Sequence, residues 1–199
     1  MFVRVVTFTG AKDIDGGLKF LQDTVAPLLR EQNGWTGTTA SADRANGVFS
    51  VLSQWQDKAA LDASESAMRK VRGDAQDIIG GDLDVSFFEQ VVFDIAKPPH
   101  VGARLMIRPT SMDPAKVDEN IEFFTTTVLP QIREAPGYLA LRNLINRETG
   151  EGAVGSLWDS DEALEGAAAM AEERRSVGEQ RGITFGELSK RETVFADMP

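Results

Sequence analysis

Apolar positions along this chain keep changing period, and each change marks an element. Phe2 to Thr9 (FVRVVTFT) is dense in β-branched and aromatic residues, which suit a pleated strand. From Asp13 to Gln32 the apolar spacing becomes three and four, at Ile14, Leu18, Leu21, Val25, Leu28 and Leu29, the stripe of an amphipathic helix. Asn33 and Gly34 end it, because glycine readily takes the left-handed conformation that closes a helix. Trp35 to Asp43 and Val48 to Trp55 read as two strands joined by a polar turn at Arg44, Ala45, Asn46 and Gly47. Asp57 is an N-cap for a second helix through about Arg72, and Val85 to Phe93 is a closing strand. The order is β-α-β-β-α-β.

The same pattern returns 103 residues later: TVAPLLREQNGW (Thr24 to Trp35) aligns with TVLPQIREAPGY (Thr127 to Tyr138). That offset also carries Val51, Ser53, Trp55, Ala60 and Leu61 onto Val154, Ser156, Trp158, Ala163 and Leu164, Arg72 onto Arg175, Glu89 onto Glu192, and Val91 onto Val194. A gapless match of this extent marks a duplicated module of roughly 95 residues. In the second copy the first strand is Ala103 to Arg108, and a helix starts at Asp113 with Pro114 in its first position. That helix carries Val117, Ile121, Phe124, Val128 and Ile132 on one face and stops at Pro136 and Gly137. Strands at Tyr138 to Asn146 and Gly152 to Trp158, an alanine-rich helix after Ser160 and a strand near Gly186 to Phe195 complete it. The expected organisation is a first module over 1–96, a linker over 97–100 and a second module over 101–199. Pro27 and Pro130 fall inside the first helix of each copy, where a missing N–H and a clash with the preceding turn call for a bend. Positions alike in both copies serve the fold, so a specific activity belongs where the copies differ.

FVRVVTFT and FFEQVVF are nearly continuous apolar runs, so both faces of each sheet need cover. Helices supply one cover, and the sheet of the other module is the expected second. The fold class is therefore α+β: two ferredoxin-like modules whose antiparallel sheets pack into a single-chain, pseudo-dimeric α/β barrel.

Charge and composition narrow the chemistry. A net charge of −10 and a pI near 4.7 exclude nucleic acid and anionic membranes as partners, because no basic stripe is present to displace counterions from phosphates. There are no cysteines, which removes disulfides, thiolate catalysis and cysteine-ligated metals. The single histidine, His100, lies in the Pro-Pro-His linker, and no metal site is expected. No leader pattern and no apolar run of membrane-spanning length is evident, and the expected location is cytoplasmic. No nucleophile elbow, phosphate loop or dinucleotide fingerprint occurs, and no acid, base or metal constellation identifies a catalytic residue.

REAPGYLAL (Arg133 to Leu141) and GSLWDSDEAL (Gly155 to Leu164), with weaker echoes in REQNGWTG (Arg30 to Gly37) and SQWQDKAAL (Ser53 to Leu61), resemble the antibiotic biosynthesis monooxygenase-like family of dimeric α/β barrels. Most members of that family build the barrel from two chains. The resemblance implies a cofactor-independent monooxygenase acting on a small aromatic or polyketide-like molecule. It fails at the residues that would degrade haem, since neither first strand holds an Asn and neither second helix a Trp or His. The alternative is a non-catalytic barrel that binds a small hydrophobic ligand or serves a structural role, and a homodimer is a further expected partner state. Three residues are the substrate-binding candidates: Trp35, Tyr138 and Arg142. Trp35 and Tyr138 occupy one repeat position with different polar handles, while Arg142 and Asn143 face small counterparts, Thr39 and Ala40. The second module is the favoured location, because its alanine-rich helix (Ala163, Ala167, Ala168, Ala169, Ala171) leaves volume above the sheet.

Overall fold

Caps and glycines set the element boundaries. In the computed structural model, which describes residues 1–198, β1 (Phe2–Thr9) leads to α1 (Ile14–Phe20), capped by Asp13, whose side chain accepts from the Gly16 N–H at 2.8 Å. A single π-helical turn, Leu21–Val25, follows and then α2 (Ala26–Arg30). The second copy repeats the sequence of events, with a 3₁₀ turn at Pro114–Lys116, then α4 (Val117–Phe123), a π-turn at Phe124–Val128 and α5 (Leu129–Arg133). The bend expected at Pro27 and Pro130 thus takes a specific form. Ahead of each proline the Ala26 and Leu129 N–H groups reach back to Leu21 and Phe124, and the widened turn accommodates a residue that cannot donate.

Gly34 and Gly137 end these helices at φ +79° and +78°. A Cβ at either would lie 2.5 Å from the Cβ of Ala60 or Ala163, so the close approach of the following helix requires glycine as well. β2 (Trp35–Asp43) and β3 (Val48–Trp55) have the expected bounds, and their counterparts are β6 (Tyr138–Ile145) and β7 (Glu151–Trp158). The helix after Asp57, α3 (Lys58–Ile79), continues past Arg72 to Gly80, since Gly73 has open space around it and Ala75 and Ile79 keep the apolar stripe. Its partner is α6 (Asp161–Gln180). β4 spans Asp82–Ile95, β5 Arg104–Ser111, β8 Thr184–Phe185 and β9 Ser189–Asp197.

The elements form two units offset by one strand from the sequence repeats. One unit comprises Met1–Phe87 and the chain from Glu192 onward; the other comprises Phe88–Arg191. In the first, β1 and β2 flank β3, and β2 takes the end of β9 as its outer neighbour, pairing Thr38 with Asp197, Ala40 with Phe195 and Ala42 with Glu192. In the second, β5 and β6 flank β7, and β6 takes the end of β4, pairing Leu141 with Asp94, Asn143 with Val92 and Ile145 with Glu89. These are the same pairs under the repeat offset, and both ladders skip the same position, Val194 in one and Val91 in the other. Each unit is therefore completed by the closing strand of the other repeat.

The first unit has a core of Phe8, Leu21, Phe49, Ile79 and Val194, and a second cluster around Trp55, Leu29, Leu61 and Met68. In the second unit Leu129, Tyr138, Leu141, Trp158 and Leu164 pack between sheet and helices, while Ala103, Leu139, Ala140 and Leu157 cluster on the helix-free face. Trp55 and Trp158 are fully buried at corresponding places, each donating its indole N–H to a serine two residues earlier, Ser53 and Ser156. No helix among the described residues is long and apolar enough to cross a membrane.

Candidate functional site

A cavity of about 390 Å³ opens between sheet and helices in the second unit, and its counterpart in the first unit is about 50 Å³. The difference follows from substitutions between the repeats. In the first unit Phe8 and Phe49 are cross-strand partners with ring centroids 6.3 Å apart, and both are buried. The corresponding pair in the second unit is Thr110 and Gly152. Met68, which lines the small cavity, is matched by Ala171, which lines the large one. Two rings and a thioether are missing from the second unit, and the space they would fill stays open.

The walls are apolar, with Phe123, Phe124, Phe185, Ile121, Ile132 and Val154 prominent. The π-turn contributes Phe124, Thr127 and Val128, so the turn that accommodates Pro130 also shapes the cavity. Of the five alanines of α6, Ala171 alone lines the space, while Ala163 and Ala167 belong to the core around Trp158. Polar side chains are few: Thr110, Asn120, Thr127, Gln131 and Asn143, together with three arginines, Arg108, Arg174 and Arg175. The lining contains no carboxylate, histidine or tyrosine, so its titratable groups are all arginines. Arg108 donates to the Gly186 carbonyl at 3.0 Å and pairs with Glu172; Arg175 pairs with Glu172 at 3.7 Å and Glu179 at 2.8 Å. The Arg108 guanidinium holds the Glu172 carboxyl below its usual range, which keeps that carboxylate ionised.

The three residues expected to bind substrate lie elsewhere. Tyr138 packs edge-on against Trp158, ring centroids 5.7 Å apart, and its hydroxyl donates to Asp94 at 2.7 Å. Burial, and then that hydrogen bond to a carboxylate, push its ionisation well above the ordinary tyrosine value. Asp94 also accepts from Arg133, which lowers the Asp94 pKa below the usual range. Trp35, at the equivalent place in the first unit, packs against the Trp55 cluster and donates its indole N–H to Thr38 Oγ1 at 2.9 Å. Arg142 lies on the helix-free face: its guanidinium stacks 4.2 Å from the Phe93 ring centroid and donates to Gln90 Oε1 at 2.5 Å. Burial lowers its pKa to about 10.

Parity explains the displacement. A bulge between Tyr138 and Ala140 resets the alternation of β6, so Leu141, Asn143 and Ile145 point toward the helices, and Ala140, Arg142 and Leu144 point away. Of the neighbouring pair Arg142 and Asn143, it is Asn143 that reaches the cavity. The helix residues were missed, although the repeat alignment carries the signal: Arg174 corresponds to Val71, which lines the small cavity of the first unit. Among the described residues no group of three or more His, Cys, Asp or Glu side chains is placed to hold a metal ion. His100 is exposed, its Nδ1 3.3 Å from the Pro98 carbonyl oxygen.

No family model matches the chain. It is 27% identical over 166 residues to an uncharacterized protein of Mycobacterium tuberculosis strain H37Rv, covering 83% of this chain and 74% of that one. Among solved structures it is similar to a Lactobacillus acidophilus NCFM protein provisionally named a monooxygenase, with TM-score 0.71 at 11% identity over 99% of this chain and 96% of the other. It is also similar to an anthrone oxidase-like protein, with TM-score 0.68 at 15% identity over 98% and 92%. A third is an uncharacterized ferredoxin-fold protein from Listeria monocytogenes 4b F2365 related to antibiotic biosynthesis monooxygenases, with TM-score 0.58 at 9% identity over 98% and 95%. At such identities the likeness is one of fold. That fold is the ferredoxin-like one of proteins related to antibiotic biosynthesis monooxygenases.

Proposed function

We propose that the second unit binds a small aromatic or polyketide-like molecule in its 390 Å³ cavity, and that the chain is a monooxygenase-like protein working without a bound cofactor. The observation that carries this reading is the cavity itself: its volume suits a compact two- or three-ring ligand, and its walls combine phenyl rings with a few polar side chains. The solved relative named for its likeness to an anthrone oxidase has the same fold. A substrate of that class carries an acidic C–H between two aromatic rings. Its oxidation balances without further reagents: the CH₂ becomes C=O, one oxygen atom of O₂ is retained and the other leaves with both hydrogens as water.

The lining supplies cations but no base, and this favours a second reading in which the ligand is held without turnover. One experiment separates the two. Anthrone is added to the protein while oxygen uptake and quinone formation are followed, and ligand occupancy is read by quenching of tryptophan fluorescence. Saturable quenching with oxygen uptake above the protein-free rate supports the enzyme, and quenching alone supports the binding protein. Absence of both, with absence of binding by other fused-ring aromatics, would remove the cavity as a ligand site.

A further inference from the structure

Three arginines line the 390 Å³ cavity of a protein that carries ten net negative charges. Arg108 and Arg175 are neutralised by Glu172 and Glu179, which lie outside the lining. Arg174 has no such balance. It is half-buried on α6, it lines the cavity, and among the described residues its side chain makes no ion pair or hydrogen bond. Three guanidinium groups against two carboxylates leave one positive charge at the wall. The side chains of Thr110, Gln131 and Asn143 line the same space and likewise make no hydrogen bond to protein. These groups converge on a volume otherwise walled by phenyl rings and branched aliphatics.

At the repeat offset Arg175 has a counterpart in Arg72, but Arg174 replaces Val71 and Asn143 replaces Ala40, and in the strand register Thr110 takes the place of Phe8. These three polar side chains therefore stand, in the unit where the space opened, at positions that are apolar where the space is closed. A guanidinium facing a partly dehydrated, apolar space is stabilised best by a delocalised oxyanion, which it can engage through two parallel N–H donors.

We propose that the ligand of this cavity carries a delocalised oxyanion, a carboxylate or an ionised enol or phenol, and that Arg174 is its specificity-determining partner. The inference rests on the reading of the cavity as the ligand site. It assigns ligand orientation: the anionic end lies at α6 and the fused rings among Phe123, Phe124 and Phe185.

The test uses two probes of equal shape, 2-naphthoate and 2-naphthamide, with the full-length protein and with Arg174→Gln, Arg174→Lys and Ala171→Trp variants. Binding is measured by calorimetry. The expected result is that naphthoate binds about tenfold more tightly than naphthamide to the wild type, a ratio that falls to near one in Arg174→Gln and is largely restored in Arg174→Lys. Ala171→Trp fills the cavity and abolishes binding of both, which locates the site. Thermal unfolding of Arg174→Gln should match the wild type, because the side chain makes no ion pair or hydrogen bond among the described residues. Equal binding of both probes by the wild type, or a naphthoate preference that survives Arg174→Gln, overturns the proposal while leaving the cavity as a ligand site. Failure of both probes to bind, or binding unaffected by Ala171→Trp, overturns the cavity reading as well.

Discussion

Tyr138 donates its phenolic hydrogen to Asp94 at 2.7 Å, and Asp94 reaches it from the strand that the other repeat supplies. The same carboxylate accepts from Arg133 at the end of α5. In the first unit the equivalent pair is Arg30 and Asp197, at 2.8 Å, again joining the end of a helix to the exchanged strand. Trp35 stands in place of the phenol and turns its donor to Thr38. The ion pair is common to both units; the phenol is particular to the second.

Tyr138 is the only tyrosine in the chain, so a tyrosinate titration reports this one group. Its pKa in the fold is raised by burial and by Asp94, which means that the folded state favours the neutral phenol. A group raised in the fold contributes stability that is fully present below its unfolded value, about 10, and lost as pH rises above it. The expected outcome is that no tyrosinate absorbance appears in folded protein up to about pH 11, and that it appears together with loss of the far-ultraviolet helix signal. In Asp94→Asn the phenol should ionise at lower pH, since the carboxylate that disfavours its anion is gone. Tyrosinate forming near pH 10 in fully folded wild type would contradict the observed environment of Tyr138.

Residues 1–98 alone should not form a stable folded module. β2 would lose its pairing with Glu192 to Asp197, and the first core would lose Val194 and the packing of Phe195. Arg30 would lose Asp197. The β4 segment after Phe87 would have no β6 to pair with, leaving an exposed apolar strand. Circular dichroism and size-exclusion chromatography of the fragment should show a largely unfolded or self-associating species. A monomer with a cooperative thermal transition would refute this dependence on the last strand.

That exchange of closing strands was not legible in the sequence, and the reason is physical. Periodicity tells which residues face a core, so β1, β2 and β3 could be bounded from FVRVVTFT, the Trp35 run and the Val48 run alone. It carries no record of which neighbour a strand pairs with, because backbone ladders are the same for every partner. The repeat itself was legible, and with it the helix-closing glycines Gly34 and Gly137. The site was half legible. Room in the second half could be anticipated from its alanines, but a single bulge at Leu139 decides that Asn143, and not Arg142, enters the cavity. Arg174 reads in isolation as a solvated helix arginine, and only its alignment with Val71 at the repeat offset sets it apart.

Arg4→Met should leave the protein as stable as before or raise its stability by about 1 kcal/mol. Arg4 is 2% exposed, and it donates to Ser64 at 2.8 Å and the Leu61 carbonyl at 3.1 Å, with Glu65 3.1 Å away. Its Nε and Nη1 nonetheless find no acceptor, and burial lowers its pKa to about 10. Unsatisfied buried donors carry a desolvation cost that the three contacts offset only in part. In the strand register Met106, opposite Ser156 as Arg4 is opposite Ser53, holds this place in the second unit and packs against the Trp158 cluster, so the substitution has a precedent within the same fold. Glu65 keeps Arg72 as its partner in the variant. A fall of the denaturant midpoint equivalent to 2 kcal/mol or more would show that the Arg4 network stabilises the first unit.

If the cavity exists because Thr110 and Ala171 stand where the first unit has Phe8 and Met68, then Phe8→Thr should open the first unit and cost about 3–4 kcal/mol, the usual penalty for losing a buried ring. The reverse change, Thr110→Phe with Ala171→Met, should fill the second unit with side chains whose arrangement the first already demonstrates. Gly152 has to stay, because a Cβ there would lie 2.3 Å from the Leu144 carbonyl oxygen, so the refilling is incomplete by one ring. The double variant is expected to melt a few degrees above the wild type and to lose binding of fused-ring aromatics. Thermal unfolding and calorimetric titration on one preparation check both halves. Retained binding in a correctly folded double variant would mean that the ligand sits away from Thr110 and Ala171. A lowered melting temperature would mean that the helices of the second unit are fixed too rigidly over the sheet to accept the added side chains.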